Sequence, residues 1–288
     1  MQTETPPSPG RLRIWAEHLK IEHTLFSVPL IYAGALLAEP PLTLRTGLLI
    51  LVAATGARTA AMGLNRLLDH RLDAANPRTR NRALPSGRLT PRAAAVAVGF
   101  SYLVAILAAA AISPHLALLS PIPLAAFVVY PLLKRFTRWA HLGLGVAFSL
   151  GPLCGWYAVN LSLEHAGPAL WLAGFTALWC AGFDILYATQ DEVSDRETGV
   201  HSLPAAVGSR RALRIAIALH ATAFVALCGL YLTSLGGAAT GLAVLVAGAL
   251  FIVQHRIRHR VDLAFFHVNA ALGAVVFLGV ALHDFGAS

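Results

Sequence analysis

Charge is what this sequence has least of. Only 12% of its residues are Asp, Glu, Lys or Arg, while 57% are hydrophobic. A soluble domain carries about 25% charged residues, so a fold of this composition cannot cover itself for water and is expected to lie in lipid. Cysteine is scarcer still. Cys154, Cys180 and Cys228 stand singly in apolar runs without CxxC spacing or matched histidines, which argues for core packing rather than a metal site. The twelve histidines are scattered. His220 and His267 fall inside apolar runs and read as hydrogen-bonded structural groups, not haem ligands. No cleavable signal is expected, because Met1 to His23 is polar, contains proline and runs long before the first apolar stretch. The net charge of +8 does not imply nucleic acid, since the basic residues sit in short loops rather than in a basic domain. Topology and anionic headgroups account for most of it.

What the sequence has in abundance is apolar runs near the ~20 residues that cross a bilayer core. They fall at about 24–38, 46–68, 92–112, 115–133, 140–162, 168–188, 212–232, 238–254 and 262–283, nine spans with the first one short. Arg11, Arg13 and Lys20 precede the first span, and alternate loops carry Arg66 to Arg92, Lys134 to Arg138, Arg196 to Arg214 and Arg256 to Arg260. The opposite loops hold only Arg45. Basic residues stay on the cytoplasmic side, so the N-terminus is expected inside, the C-terminus outside and the protein in the cell membrane. Without a composition shift, residues 1–288 read as one membrane domain with two long cytoplasmic loops, about 70–91 and 190–211.

Each loop opens on an acidic run. NRLLDHRLD, residues 65–73, sets Asn65, Asp69 and Asp73 four residues apart at the end of the second span. DILYATQDEVSD, residues 184–195, sets Asp184, Tyr187, Asp191 and Asp195 at the end of the sixth. RNRALP then ends at Pro85 and GVHSLP at Pro204, so each acidic pair leads to a Leu-Pro turn. Two matched copies suggest a duplicated half-site.

On a helix, four residues advance about 6 Å and turn about 40° past a full revolution, so Asp69 shares a face with Asp73, and Asp191 with Asp195. Like charges so close to lipid need a cation. Carboxylate oxygens without His or Cys select Mg²⁺, Ca²⁺ or Mn²⁺ over zinc or copper, and Mg²⁺ binds through one or two carboxylates, waters and substrate phosphates. A metal-bridged diphosphate fits. Four Asp with a diphosphate of roughly −3 leave about −7, which two Mg²⁺ offset by only about +4, so basic partners are required. Arg78, Arg80 and Arg82 follow the first motif, and Lys134 with Arg135 closes the fourth span. Arg78, Arg80, Arg135 and Arg138 each fit equally well as solvated topology charges. Arg58, within the second span and seven residues before Asn65, is expected to face a cavity or a partner rather than lipid. Glu192 and Glu197 read as solvated charge, and Tyr187 as either a site residue or interfacial packing.

These motifs resemble the UbiA-type membrane prenyltransferases. NRLLDHRLD with RTRNRALPSG, DILYATQDEVSD with HSLPAAVG, and the nine-span layout carry the resemblance across nearly the whole chain. IEHTLFSVPL and RTAAMGLNRLLD look most like a bacterial subgroup of 4-hydroxybenzoate polyprenyltransferase-like proteins, some tied to menaquinone synthesis through futalosine. The resemblance implies an all-α ring of nine transmembrane helices around a cavity, capped by the two loops. It implies that Asp69, Asp73, Asp191 and Asp195 hold Mg²⁺, and with Asn65 the diphosphate of a polyprenyl donor. Asp184 and Tyr187 fill the first two positions of the second motif. Arg82 and Lys134 would neutralise the leaving diphosphate, and Arg58 would reach either diphosphate or the carboxylate of an aromatic acceptor. His201 stands where many relatives carry Lys, which weakens any transfer of a lysine's role. No role is read for Glu22 or His23.

The expected chemistry is ionisation of the allylic C–O bond as the departing diphosphate is stabilised, in a cavity that excludes water, followed by attack of an electron-rich aromatic carbon. A haem farnesyltransferase, chlorophyll-type synthase or ether-lipid synthase remains open within the family. Outside it stands a carboxylate-coupled transporter, although transporter sites lie near the midplane at broken helices and Asp69 comes at the mouth of its span.

Overall fold

A computed structural model describes residues 10–19, 24–260 and 263–287. Lys20, Glu22 and His23 lie outside the described residues. Among those described, every regular element is helical. Helix α1 (Arg11–Leu19) precedes α2 (Thr24–Leu36), whose 13 residues rise about 20 Å, short of a ~30 Å hydrocarbon core. The chain continues through α3 (Leu44–Leu68), α4 (His70–Ala75), α5 (Pro91–Ile112), α6 (Pro114–Leu119), α7 (Pro121–Leu133), α8 (Ala140–Asn160) and α9 (Gly167–Ala188). After a 3-10 turn at Thr189–Asp191 come α10 (Glu192–Thr198), α11 (Leu203–Val207), α12 (Ser209–Leu230), α13 (Ala238–Arg256) and α14 (Val268–Ala287). Eight helical segments among the described residues are long and apolar enough to cross a membrane.

Local sequence explains the boundaries. Thr43 and Thr90 accept the Thr46 and Ala93 amides at 3.2 Å each, capping α3 and α5. The expected fourth span is two helices, α6 and α7, because Pro121 has no N–H with which to continue the ladder. The Tyr102 hydroxyl donates to the Ser120 carbonyl at the break, 2.7 Å away. The two Leu-Pro steps also diverge. Leu84–Pro85 lies in a turn, whereas Ser202 caps α11 and Pro204 occupies its first turn. Glu192, expected as a solvated charge, instead accepts the Ser209 amide at 2.9 Å and the Ser209 hydroxyl. A carboxylate there satisfies an orphan N–H and the positive end of α12.

The core is built around α9. Leu172, Phe175, Trp179, Cys180 and Phe183 pack against Ala223, Leu227 and Leu230 of α12, Phe251 of α13, and Leu272 and Val276 of α14. In lipid such packing rests on close contact rather than on transfer from water, and small residues permit it. A Cβ at Gly145 would overlap the Ala177 carbonyl, and one at Gly155 the Ile31 carbonyl, which draws α8 tightly onto α9 and α2. At one end of the bundle, Ile14 and Trp15 of α1 cover Ala83, Leu84 and Leu89 of the first cap segment and Ala94 of α5. This packing leaves a cavity on the opposite flank of α9, where both acidic motifs end.

Candidate active site

The first motif survives a change of helix. α3 stops at Leu68, yet Asp69 N–H donates to the Asn65 carbonyl at 2.9 Å and Asp73 N–H to the Asp69 carbonyl at 2.8 Å, so the four-residue repeat keeps one face through the junction with α4. Asn65 donates through Nδ2 to the Tyr130 hydroxyl at 2.7 Å. Lys134, at the end of α7, pairs with Asp69 Oδ2. Arg82 donates to Asp73 Oδ1 at 2.7 Å, and Arg66 stands 3.8 Å from Asp73 Oδ2. Asp69 and Asp73 are only 6% and 8% exposed. Burial raises the Asp69 carboxyl above its ordinary pKa against the pull of Lys134.

The second motif is held by donors from the first cap segment. Arg78 grips Asp191 with Nε on Oδ1 at 2.8 Å and Nη2 on Oδ2 at 2.5 Å, and reaches the Tyr187 hydroxyl with Nη1 at 2.8 Å. Asn76 adds a bond to Asp191 Oδ1 at 2.9 Å. Burial alone would lower the Arg78 pKa, but the bonds to Asp191 hold it above the ordinary arginine value. Tyr187 packs against Phe265 with the rings tilted by 34°, centres 4.3 Å apart. Asp184 sits 2.6 Å from His141 Nδ1. Bidentate charge-assisted bonds of this type are the strong ones, so the two cap segments are joined through Arg78.

Both motifs open into one cavity of about 930 Å³. The ten expected site residues, Arg58, Asn65, Asp69, Asp73, Arg82, Lys134, Asp184, Tyr187, Asp191 and Asp195, all line it. Its other wall is apolar, supplied by α3 and α5 through residues such as Ala54 and Ile106, by α7 through Phe127, and by α8 through Leu150. Cys154, expected in the core, is exposed and faces this cavity. His267, expected as a purely structural group, lines it as well. α12 and α13 contribute no lining residue, being spent on the α9 core. A charged end with a long apolar wall suits an amphiphile that carries an anionic head.

Comparison with known proteins decides the family. The UbiA prenyltransferase family model matches residues 27–280. The chain belongs to the UbiA prenyltransferase family. It is 35% identical over 231 residues to a 4-hydroxybenzoate octaprenyltransferase of Salmonella paratyphi C, covering 78% of each chain. Its fold matches the apo structure of a UbiA homolog from Aeropyrum pernix K1 with TM-score 0.85 and 31% identity, over 91% of this chain and 98% of that one. A UbiA homolog from Archaeoglobus fulgidus bound to GPP and Mg²⁺ shares the fold at TM-score 0.67 and 19% identity, over 95% of this chain and 98% of that one. This UbiA-family chain is a prenyl-transferring enzyme.

The donor set of this UbiA site fits a hard divalent ion. Asp69 Oδ1 and Asp73 Oδ2 are buried with no hydrogen-bond partner, which is costly for carboxylate oxygens unless a cation completes them. Among the described residues no three His, Cys, Asp or Glu side chains close around a common point. That suits an ion held by one or two carboxylates and completed by water and phosphate oxygens. Sequence reasoning missed Asn76, Tyr130, His141 and Ser202, which also line the cavity. Asn76 and Tyr130 had a signal, one turn from Asp73 and from Lys134, whereas His141 had none. Of the ambiguous basic residues, Arg78 belongs to the site, while Arg135 donates to the Leu68 carbonyl at 2.6 Å and ends α3.

Proposed function

We propose that this enzyme transfers the polyprenyl group of a polyprenyl diphosphate to an electron-rich carbon of an aromatic acceptor, 4-hydroxybenzoate or a dihydroxynaphthoate, with Mg²⁺ as its ion, in quinone biosynthesis. The observation that carries the reading is a single cavity joining two orphaned buried carboxylate oxygens to an apolar wall. The relative named 4-hydroxybenzoate octaprenyltransferase supports the acceptor class, and the fold neighbour bound to GPP and Mg²⁺ supports the donor class. The basic loops gather with the acidic motifs, which supports a cell-membrane protein whose site faces the cytoplasm. Counting α2 as a short ninth span puts the N-terminus inside and the C-terminus outside. The two acidic motifs then work as halves of one domain related by an internal duplication.

Asp69 with Asp73, and Asp191 with Asp195, would each hold one Mg²⁺, which when bound supplies positive charge to the diphosphate. Arg78, Arg82 and Lys134, now paired with carboxylates, exchange those partners for diphosphate oxygens and stabilise the negative charge that grows as the allylic C–O bond breaks. Asn65 and Tyr187 orient the head group. The α3, α5 and α8 wall keeps water from the cation that remains, and Arg58, two turns deeper than Asn65, faces the acceptor's carboxylate. The aromatic carbon bonds to the allylic carbon and the ring loses its proton.

The test supplies membranes holding the enzyme with Mg²⁺ and a polyprenyl diphosphate, then screens 4-hydroxybenzoate against dihydroxynaphthoates. Diphosphate release that requires one of these acceptors is expected. Release at the same rate without any aromatic acceptor would overturn the reading.

A further inference from the structure

His141 sits where the second cap segment, α8 and α9 meet. Its side chain is 7% exposed, and it bonds at both ring nitrogens. Nε2 accepts the backbone N–H of Leu203 at 3.2 Å, and Nδ1 lies 2.6 Å from Asp184 Oδ2. A backbone N–H can only donate, so Nε2 must be the unprotonated nitrogen, and the ring proton is on Nδ1, directed at Asp184. A second proton on Nε2 would set two donors against each other in a buried place. Asp184 in turn faces the cavity. The neighbouring backbone ties the same segment down, since His201 N–H donates to the Lys134 carbonyl at 2.7 Å.

We propose that His141 is a positioning residue, a fixed donor–acceptor bridge that couples the closed cap segment 201–207 to the orientation of Asp184 in the cavity, and not an acid or base in turnover. The bridge makes two things rise and fall together: order in the cap segment, and the angle at which the Asp184 carboxylate meets a bound acceptor hydroxyl. Only the second rests on the aromatic-acceptor reading. An imidazole is not unique in this role. The amide of a glutamine also places an NH₂ donor beside an oxygen acceptor, as the two ring nitrogens of this tautomer place a donor beside an acceptor.

Three full-length variants in nanodiscs test it by hydrogen exchange of amides 201–207 and by steady-state kinetics. His141→Leu removes both bonds. Its cap-segment exchange is expected to quicken by about tenfold or more, with acceptor kcat/KM falling by a similar factor. His141→Gln is expected to restore both and to leave the pH–rate profile as in the parent. His141→Asn reaches Asp184 but not Leu203, and covers the case in which the leucine variant fails to fold. It is expected to loosen the cap and, through the coupling, to lower acceptor kcat/KM with it. Parent-like exchange in both the leucine and asparagine variants overturns the proposal, as does a glutamine variant as impaired as leucine. If the parent enzyme prenylates no aromatic acceptor, the proposed function fails while the exchange measurements still decide the bridge.

Discussion

The two acidic motifs have the same spacing and opposite electrostatic states. In the first, Asp69 and Asp73 are buried, each is hydrogen-bonded by a basic group through one oxygen, and the other oxygen is left without a hydrogen bond, that of Asp73 standing 3.8 Å from Arg66. In the second, both oxygens of Asp191 are taken by Arg78 and Asn76, and Asp184 is taken up by His141. A repeated carboxylate pattern therefore does not mean repeated function in the resting enzyme. The first half keeps open valence for a cation, whereas Asp191 in the second half is filled by the chain's own donors and must be released by Arg78 before it can contribute. α1 sharpens the contrast, because it clusters with the first half, with Ala83, Leu84 and Leu89 of its cap segment and Leu67 of α3.

The largest effect should come from removing what both halves share. Chelation by EDTA is expected to abolish turnover, with recovery on Mg²⁺ and not on Zn²⁺, because the donors are all oxygen; undiminished activity in EDTA would reject the ion. Next, Asp69→Asn and Asp73→Asn are expected to lower kcat/KM about a thousandfold with membrane insertion unchanged, and to remove Mn²⁺ binding in the absence of diphosphate. Asp191→Asn should match the loss of turnover yet leave that resting Mn²⁺ binding intact, and equal losses of metal from both halves would erase the comparison. Arg78→Met is the sharper instrument. It should raise the donor KM about tenfold to a hundredfold while strengthening Mn²⁺ binding without diphosphate, since the second half then resembles the first.

The smallest effect concerns α1. Burial, and then the charge of Arg66, lowers the His18 pKa to about 4. The unfolded or undocked state, with an ordinary value near 6.5, binds the proton more readily, so docking is complete above that value and weakens as pH falls from about 6.5 toward 4. Trp15, whose ring lies edge-on to His18 at 5.9 Å, reports it. Its fluorescence should shift over that window in the parent and stay flat in His18→Gln.

The long apolar helices were legible in the sequence to within a few residues, eight of the nine expected runs being long and apolar enough to cross a membrane, because hydropathy records residence in lipid directly. The ten candidate site residues were legible as a set because charge in a lipid-facing chain needs a reason, and repetition at four-residue spacing supplied one. Other features were not. The division of the fourth span at Pro121 turns on a partner, Tyr102, that receives the break. Cys154 reads like Cys180 in sequence, and only the rotation of α8 against α9 turns one toward the cavity and buries the other. Glu192 looks like any helix-surface acid until α12 brings the Ser209 amide to it.

By itself the sequence determined that this chain lives in lipid, that its spans are helical, and that two oxygen-donor clusters lie at the same end of the bundle. These follow from composition and from a period of 3.6 residues, both local properties. Tertiary structure alone decided which carboxylates are open and which are filled, since that depends on where side chains from residues 76, 78, 82, 134 and 141 arrive. Their reach is set by close helix contacts at Gly145 and Gly155 and by the folding of two cap segments over one cavity. No local pattern in the chain encodes those distances.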